Sequence, residues 1–269
     1  MNQSTKTKMP VLFIGHGSPM NMVLDNSFTR SLKELGKTLP RPKAILVISA
    51  HWLTQGTFVA STAKPGMIYD FYGFPRELYE VRYNCPGAPE YARMTWDLLA
   101  GKKEITCDNS RGLDHASYSI LKYMYPEADI PVFNMSLDYT FNSWVEKCVQ
   151  THYDLGLQLR RLRQEGVLII GSGNMVHNLD QIDFDIEAKP YSWAADIDKL
   201  FKRELEKNNH KFFIDFPESG TSAVLAAPTL DHYLPMIYAL ALQEKNEHVQ
   251  FTYEGIQNGS ISMRGFRIG

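Results

Sequence analysis

Pro10-Val11-Leu12-Phe13-Ile14-Gly15-His16-Gly17 is a short apolar run that ends abruptly in glycines around a histidine. Four consecutive apolar residues leave no polar face, so the run reads as a strand covered on both sides rather than one lying on a surface. Lys43 to His51 repeats the pattern through Ile45-Leu46-Val47-Ile48 and again ends in histidine, and Gly166 to Ser172 repeats it through Val167-Leu168-Ile169-Ile170. Pro131 to Leu137 is predicted as a fourth strand. Between them the period changes. From Asn142 to Gln164, Val145, Cys148, Val149, His152, Leu155, Leu159 and Leu162 recur every three or four residues, which predicts an amphipathic helix. A second is predicted from Ser192 to Asn208, with Trp193, Ile197, Leu200, Phe201 and Leu205 on one stripe and Pro190 before it. Strands alternating with helices predict an α/β fold with a mostly parallel or mixed central sheet and helices on both faces. Alternation around Asn258-Gly259, from Phe251, Tyr253 and Ile256 to Ile261 and Met263, predicts a C-terminal antiparallel hairpin. With no repeat or linker, residues 1–269 are expected to form one catalytic domain, residues 1–9 being a loosely attached N-terminus.

Composition agrees with a large buried core: the 269 residues are 44% hydrophobic and 22% charged. Lysines and arginines number 28 against 30 acidic residues, a formal charge of −2 with no basic cluster, so no nucleic-acid partner is expected. Cys85, Cys107 and Cys148 are scattered and form no C-x-x-C, which fits a reducing compartment and predicts a cytoplasmic protein. No stretch is long and apolar enough for export or membrane insertion, and the oligomeric state stays open. H-E-x-x-H, G-x-S-x-G and P-loop patterns do not occur. Gly15-His16-Gly17 and Gly171-Ser172-Gly173 lack the third glycine of a dinucleotide loop, which is Met20 in one and Val176 in the other.

The chemical signal lies in where the histidines fall. His16 and His51 end two strands, and His177 follows a third through Gly171-Ser172-Gly173-Asn174. Ligands of parallel sheets bind beyond the carboxyl ends of the strands, so these three imidazoles can converge, for metal binding, proton transfer or both. His115 follows Asp114 and His232 follows Asp231, and either aspartate could orient its neighbour. His152 falls on an apolar helix stripe and reads as a core histidine, whereas His210 and His248 lie among polar residues and read as solvated.

Five ordered blocks, Gly15-His16-Gly17-Ser18-Pro19-Met20, Ser49-Ala50-His51-Trp52, Gly112-Leu113-Asp114-His115, Gly173-Asn174-Met175-Val176-His177-Asn178 and His232-Tyr233-Leu234-Pro235, together resemble the class III extradiol ring-cleavage dioxygenases (LigB-like). The nearest branch is the bacterial 4,5-DOPA extradiol dioxygenases, and the resemblance runs from about Pro10 through Tyr253-Glu254-Gly255-Ile256 to the C-terminus. It implies one Fe(II) per chain and cleavage of a catechol beside its two hydroxyls to a muconic semialdehyde, with O2 as co-substrate. By motif, His16, His51 and His232 match the metal ligands, His177 the proton-handling histidine and His115 the histidine that meets substrate or oxygen. Ala116 departs from the glycine usual at its position. Neutral imidazoles alone, with His177 as a fourth ligand, would also suit Zn(II), which is expected in isolated protein. Ser18, Tyr118, Asn174 and Tyr233 flank the motifs and are candidates to line the pocket or hold the substrate, although such residues are as a rule packing residues.

The residue types suit the chemistry. A catechol bound through both oxygens needs a metal with open positions, hence only three firm protein ligands. Its deprotonation needs a base near neutral pKa, for which His177 is the choice, with His115 or recycled protonated His177 returning the proton as the ring opens. Two other readings compete: a zinc-dependent hydrolase using the same cluster, and a non-enzymatic metal-binding protein of the Memo type.

Overall fold

The computed structural model describes residues 8–101, 104–139 and 146–269. Ten strands run in chain order: β1 (Val11–Gly15), β2 (Ala44–Thr54), β3 (Thr57–Ala60), β4 (Ile105–Asp108), β5 (Val132–Asp138), β6 (Val167–Gly173), β7 (Val249–Tyr253), β8 (Ile256–Gln257), β9 (Ile261–Ser262) and β10 (Gly265–Ile268). Eight of them form one mixed sheet in the order β4-β3-β5-β2-β6-β1-β10-β7. Its centre, β5-β2-β6-β1, is parallel throughout, which is the arrangement the four apolar runs predict.

The absence of a polar face on these strands has a direct cause. Val11 and Phe13 face one apolar core together with Leu46, Val167 and Ile169. Leu12 and Ile14 face the other together with Ile45, Val47, Leu168 and Ile170. The helices Ser27–Thr38 and His115–Met124 cover the second core, while Glu146–Gln158 and Leu234–Ala241 cover the first. The fold is therefore a single α/β domain with helices on both faces.

Several expectations shift on contact with the structure. The helix predicted over Asn142–Gln164 is two pieces, Glu146–Gln158 and Arg160–Gln164, divided at Leu159, and its predicted start at 142–145 lies outside the described residues. The predicted Ser192–Asn208 helix is Ser192–Glu206. The terminal hairpin is two nested pairings: β7 with β10 at the sheet edge, and β8 with β9 in a ribbon of its own. Asn258 (φ 53°) and Gly259 (φ 71°) both take the left-handed conformation that an Asn-Gly turn demands. Strands β3 and β4 escape a sequence reading because they are four residues long and β4 is largely exposed. Residues 1–7 of the expected loose N-terminus lie outside the described residues, but its last two are fastened: Met9 is buried with its N–H on the Arg163 carbonyl (2.9 Å), and Lys8 pairs with Glu247 (2.8 Å).

Candidate metal centre and active site

The carboxyl ends of β1, β2 and β6 deliver the histidines to one place. His16 follows β1 directly, and Gly17 (φ +62°) turns the chain away behind it. Strand β2 pairs regularly with β6 as far as Ser49, then loses register against β5 between Ile48 and Leu53. His51 sits in that irregular stretch, so the predicted strand end at His51 is in fact an interruption, and β2 resumes to Thr54. His232 precedes the Leu234–Ala241 helix, whose start packs on β6 at its glycines. A Cβ on Gly173 would lie 2.2 Å from the His232 carbonyl oxygen, so only glycine lets this loop approach. His177 follows β6, its N–H on the Ala226 carbonyl (2.6 Å). His115 begins the His115–Met124 helix, its N–H donating to Asp70 Oδ1 (2.9 Å).

The Nδ1 of each of the three rings faces an oxygen, which bears on its tautomer. His232 Nδ1 donates to Asp231 Oδ2. His51 Nδ1 lies 3.0 Å from Asp70 Oδ2. His16 Nδ1 lies 3.1 Å from Ser172 Oγ, and Ser172 already gives its own proton to the Ala116 carbonyl (2.7 Å), so it accepts from His16. His16 and His232 therefore carry their proton on Nδ1 and turn a bare Nε2 lone pair inward, and the carboxylate oxygen facing His51 Nδ1 favours the same tautomer there. His51 Nε2 is 3.2 Å from His16 Nε2 and 3.2 Å from His232 Nε2. Lone pairs at this distance repel unless a cation lies between them, and nitrogens about 2.0–2.1 Å from a shared ion would stand roughly 3.0–3.4 Å apart. The residues fit a metal ion. Donor chemistry of this kind accepts Fe(II) and Zn(II) alike.

Two more imidazoles complete the cluster. His115 has its ring centroid 4.1 Å from that of His51 and its Nδ1 3.0 Å from Asp70 Oδ1, with Phe71 packed edge-on against it. His177 lies flat on His232, centroids 3.6 Å apart and planes 6° from parallel. Burial and mutual repulsion among the imidazoles push the His16 and His177 pKa values well below the usual histidine range, and those of His115 and His232 less far. His51 goes the other way: burial lowers it, but Asp70 outweighs burial and raises it. Asp70 is in turn pushed up by burial, yet His115 and His51 hold it well below the carboxylate range.

Five of the eight histidines thus share one site, beside a cavity of about 220 Å³. Ser18 lines this cavity as anticipated. The other three candidate substrate contacts do not. Tyr118 and Tyr233 are fully buried, their hydroxyls donating to the Ile68 (3.1 Å) and Phe213 (2.8 Å) carbonyls. Asn174 ties Gly17 N–H (3.3 Å) to the Ser262 carbonyl (2.8 Å), bracing the loop beside His16. Asp231 does orient His232, but Asp114 does not orient His115: it accepts instead from Ser49 Oγ (2.8 Å) and Arg111 (2.9 Å). The carboxylate serving His115 is Asp70, which no motif flags because its loop has neither periodicity nor a neighbouring histidine in sequence. His152 is the core histidine expected, between Tyr238 and the Asp138 carbonyl. His210, expected to be solvated, is half-buried and bonded to Tyr153 (2.8 Å) and Gln243 (2.6 Å). His248 is exposed as expected.

A mixed α/β sheet with a polyhistidine cluster beyond its parallel strand ends defines a candidate metal-binding enzyme site, and the family follows from comparison. Residues 10–263 match the family described as the catalytic LigB subunit of aromatic ring-opening dioxygenase, and the chain belongs to it. It is an extradiol aromatic ring-opening dioxygenase. The chain is 41% identical over 271 residues to 4,5-DOPA dioxygenase extradiol of Escherichia coli K12, covering 98% of this chain and 96% of that protein. It is 34% identical to the protein of the same name from Beta vulgaris, covering 95% and 94%. The crystal structure of an uncharacterized Escherichia coli K12 protein superposes with a TM-score of 0.82 at 37% identity, over 97% of this chain and 100% of the other. Among the described residues, no helix is long and apolar enough to cross a membrane.

Proposed function

We propose that the protein is a cytoplasmic, Fe(II)-dependent extradiol dioxygenase that opens a small catechol to a muconic semialdehyde, DOPA being the compound to which its relatives' names point. The observation carrying this reading is the convergence of the His16, His51 and His232 Nε2 lone pairs at 3.2 Å beside a cavity with room for one aromatic ring. When bound by these three nitrogens, iron(II) would supply chelation of both catechol oxygens and the reducing power that O2 chemistry needs.

The chain's own residues supply positioning and proton transfer. His177 is the candidate base. Its ring lies flat on that of His232, centroids 3.6 Å apart, which places it beside the three nitrogens that would hold the metal and in reach of a proton there. Its lowered pKa keeps it neutral and able to take a phenolic proton. His115, held through its N–H by Asp70 and packed edge-on by Phe71, is placed beside His51 to hold or return a proton. Phe71 and Ile261 give the cavity apolar wall against which an aromatic ring can pack.

Anaerobic reconstitution with Fe(II), followed by an oxygen-electrode screen of catechols, tests the proposal. One O2 per catechol and a coloured semialdehyde are expected, with DOPA product closing onto its own amine. Flat traces with every catechol at confirmed Fe(II) occupancy would refute it.

A further inference from the structure

Resting on the reading of His16, His51 and His232 as metal ligands, we infer that Asp114 is a positioning residue for the metal centre: through Ser49 and Arg111 it grips the His51 peptide at its N–H and its carbonyl and holds the break in β2 that turns this ring toward the cluster. The break is large. Between the Ile48–Met135 and Leu53–Leu137 pairs, β2 runs through Ser49, Ala50, His51 and Trp52 where β5 has Ser136 alone, and pairing with β6 stops at Ser49. Backbone released from a ladder needs other partners. Successive side chains on a strand point to opposite faces, so a slip of one residue here would carry the His51 ring away from His16 and His232.

The partners on both sides of His51 lead to one carboxylate. The His51 N–H donates to Ser49 Oγ (3.1 Å), and Ser49 gives its own proton to Asp114 Oδ1 (2.8 Å). The His51 carbonyl accepts from an Arg111 NH2 (3.4 Å), and the same nitrogen donates to Asp114 Oδ2 (2.9 Å) while the guanidinium lies over Trp52, 4.9 Å from the ring centroid. Asp114 and Ser49 are fully buried, so water does not compete for these bonds. A second observation points the same way. Asp114 stands at the N-cap of the His115–Met124 helix, where an aspartate as a rule accepts from a backbone N–H of the first turn, yet its side chain makes no capping bond. The carboxylate is turned from its own helix to β2. One residue thereby ties the start of the helix that carries His115 to the strand that carries His51, and holds the two imidazoles at their centroid spacing of 4.1 Å.

Ser49→Ala is the informative variant, because it removes one hydroxyl, changes no charge and cuts Asp114 from the His51 N–H. Asp114→Asn keeps an oxygen for Arg111 but sets an NH2 against the Ser49 hydroxyl. Each should weaken Zn(II) binding in chelator competition by roughly tenfold, the lower end of what loss of a supporting group costs a metal site. Each should also shift the visible d–d bands of the Co(II)-loaded protein, which follow ligand geometry. Because the two substitutions act along one route, the double variant should lose no more affinity than the worse single variant, not the product of the two losses. Ser119→Ala is the control: it lies on the same helix as His115, and its buried hydroxyl has no hydrogen-bond partner among the described residues, so affinity and bands should stay as in wild type. Folded Ser49→Ala protein with wild-type affinity and bands, a double variant whose losses multiply, or an equal loss in Ser119→Ala would overturn this inference and leave the metal site standing. If Asp114→Asn does not fold, Ser49→Ala decides by the same two readouts. Wild-type protein that binds neither Zn(II) nor Co(II) would overturn the metal reading as well.

Discussion

Asp70→Asn is isosteric, and the structure specifies what it should break. Asp70 Oδ1 accepts the His115 N–H at 2.9 Å, while His115 Nδ1 and His51 Nδ1 stand in ion-pair contact 3.0 Å from Oδ1 and Oδ2 without hydrogen-bond alignment. An asparagine has one oxygen and one NH2. The backbone N–H of His115 can only donate, so the amide oxygen must stay at the Oδ1 position, and the NH2 then faces His51 Nδ1. A carboxylate oxygen at 3.0 Å favours the His51 proton on Nδ1 and an NH2 there disfavours it, so the substitution shifts His51 toward carrying its proton on Nε2, aimed at His16 and His232. A protonated Nε2 cannot bind a metal, and restoring the other tautomer sets the Nδ1 proton against the NH2. Loss of such a supporting carboxylate typically weakens metal binding by about 10–100-fold, and the shifted tautomer places this case at the upper end. Chelator competition with Fe(II) or Zn(II) measures the affinity, and circular dichroism checks that the fold is kept. A folded Asp70→Asn protein whose metal affinity stays within about twofold of wild type would refute the tautomer argument.

Three further outcomes follow from particular contacts. His177→Asn should retain its metal by elemental analysis but slow turnover by roughly 10²–10⁴-fold, the worth of a general base; an unchanged rate would remove its catalytic role. Gly173→Ala should displace the His232 carbonyl, which its Cβ would meet at 2.2 Å, and lower metal content while β6 stays folded; full metal occupancy would show that the loop has slack. Burial raises the Glu247 carboxyl, but hydrogen bonds from Arg163 and Lys8 outweigh it and hold the pKa at about 2, below the usual 4.5. A depressed carboxylate stabilises the fold above pH 4.5 and loses that contribution as pH falls toward 2, so thermal melts should show a steep acid limb that Glu247→Gln flattens. Parallel wild-type and variant curves below pH 4.5 would contradict this.

Much of the architecture was legible in the chain itself. Runs such as Val11–Ile14 and Val167–Ile170 have no polar alternation, and only a strand between two apolar layers tolerates that, so the doubly covered parallel centre follows from local sequence. Asn258-Gly259 specifies its turn because both residues accept positive φ. His16 announces itself by standing where β1 ends, whereas His51 lies inside β2 at a break in its pairing with β5. What sequence could not decide were relations between residues far apart in the chain. Asp70 reaches His51 and His115 across 19 and 45 positions, Ser172 orients His16 across 156, and Asp114 turns from its neighbour His115 toward Ser49 and Arg111. Tyr118, Asn174 and Tyr233 flank the histidine motifs yet spend their polar atoms on backbone, because buried hydroxyl and amide groups must be satisfied wherever packing leaves them. Strand ends are set by short-range periodicity and can be read along one segment. The protonated face of an imidazole is set by whichever acceptor the fold brings beside it, and that is decided only when the loops meet above the sheet.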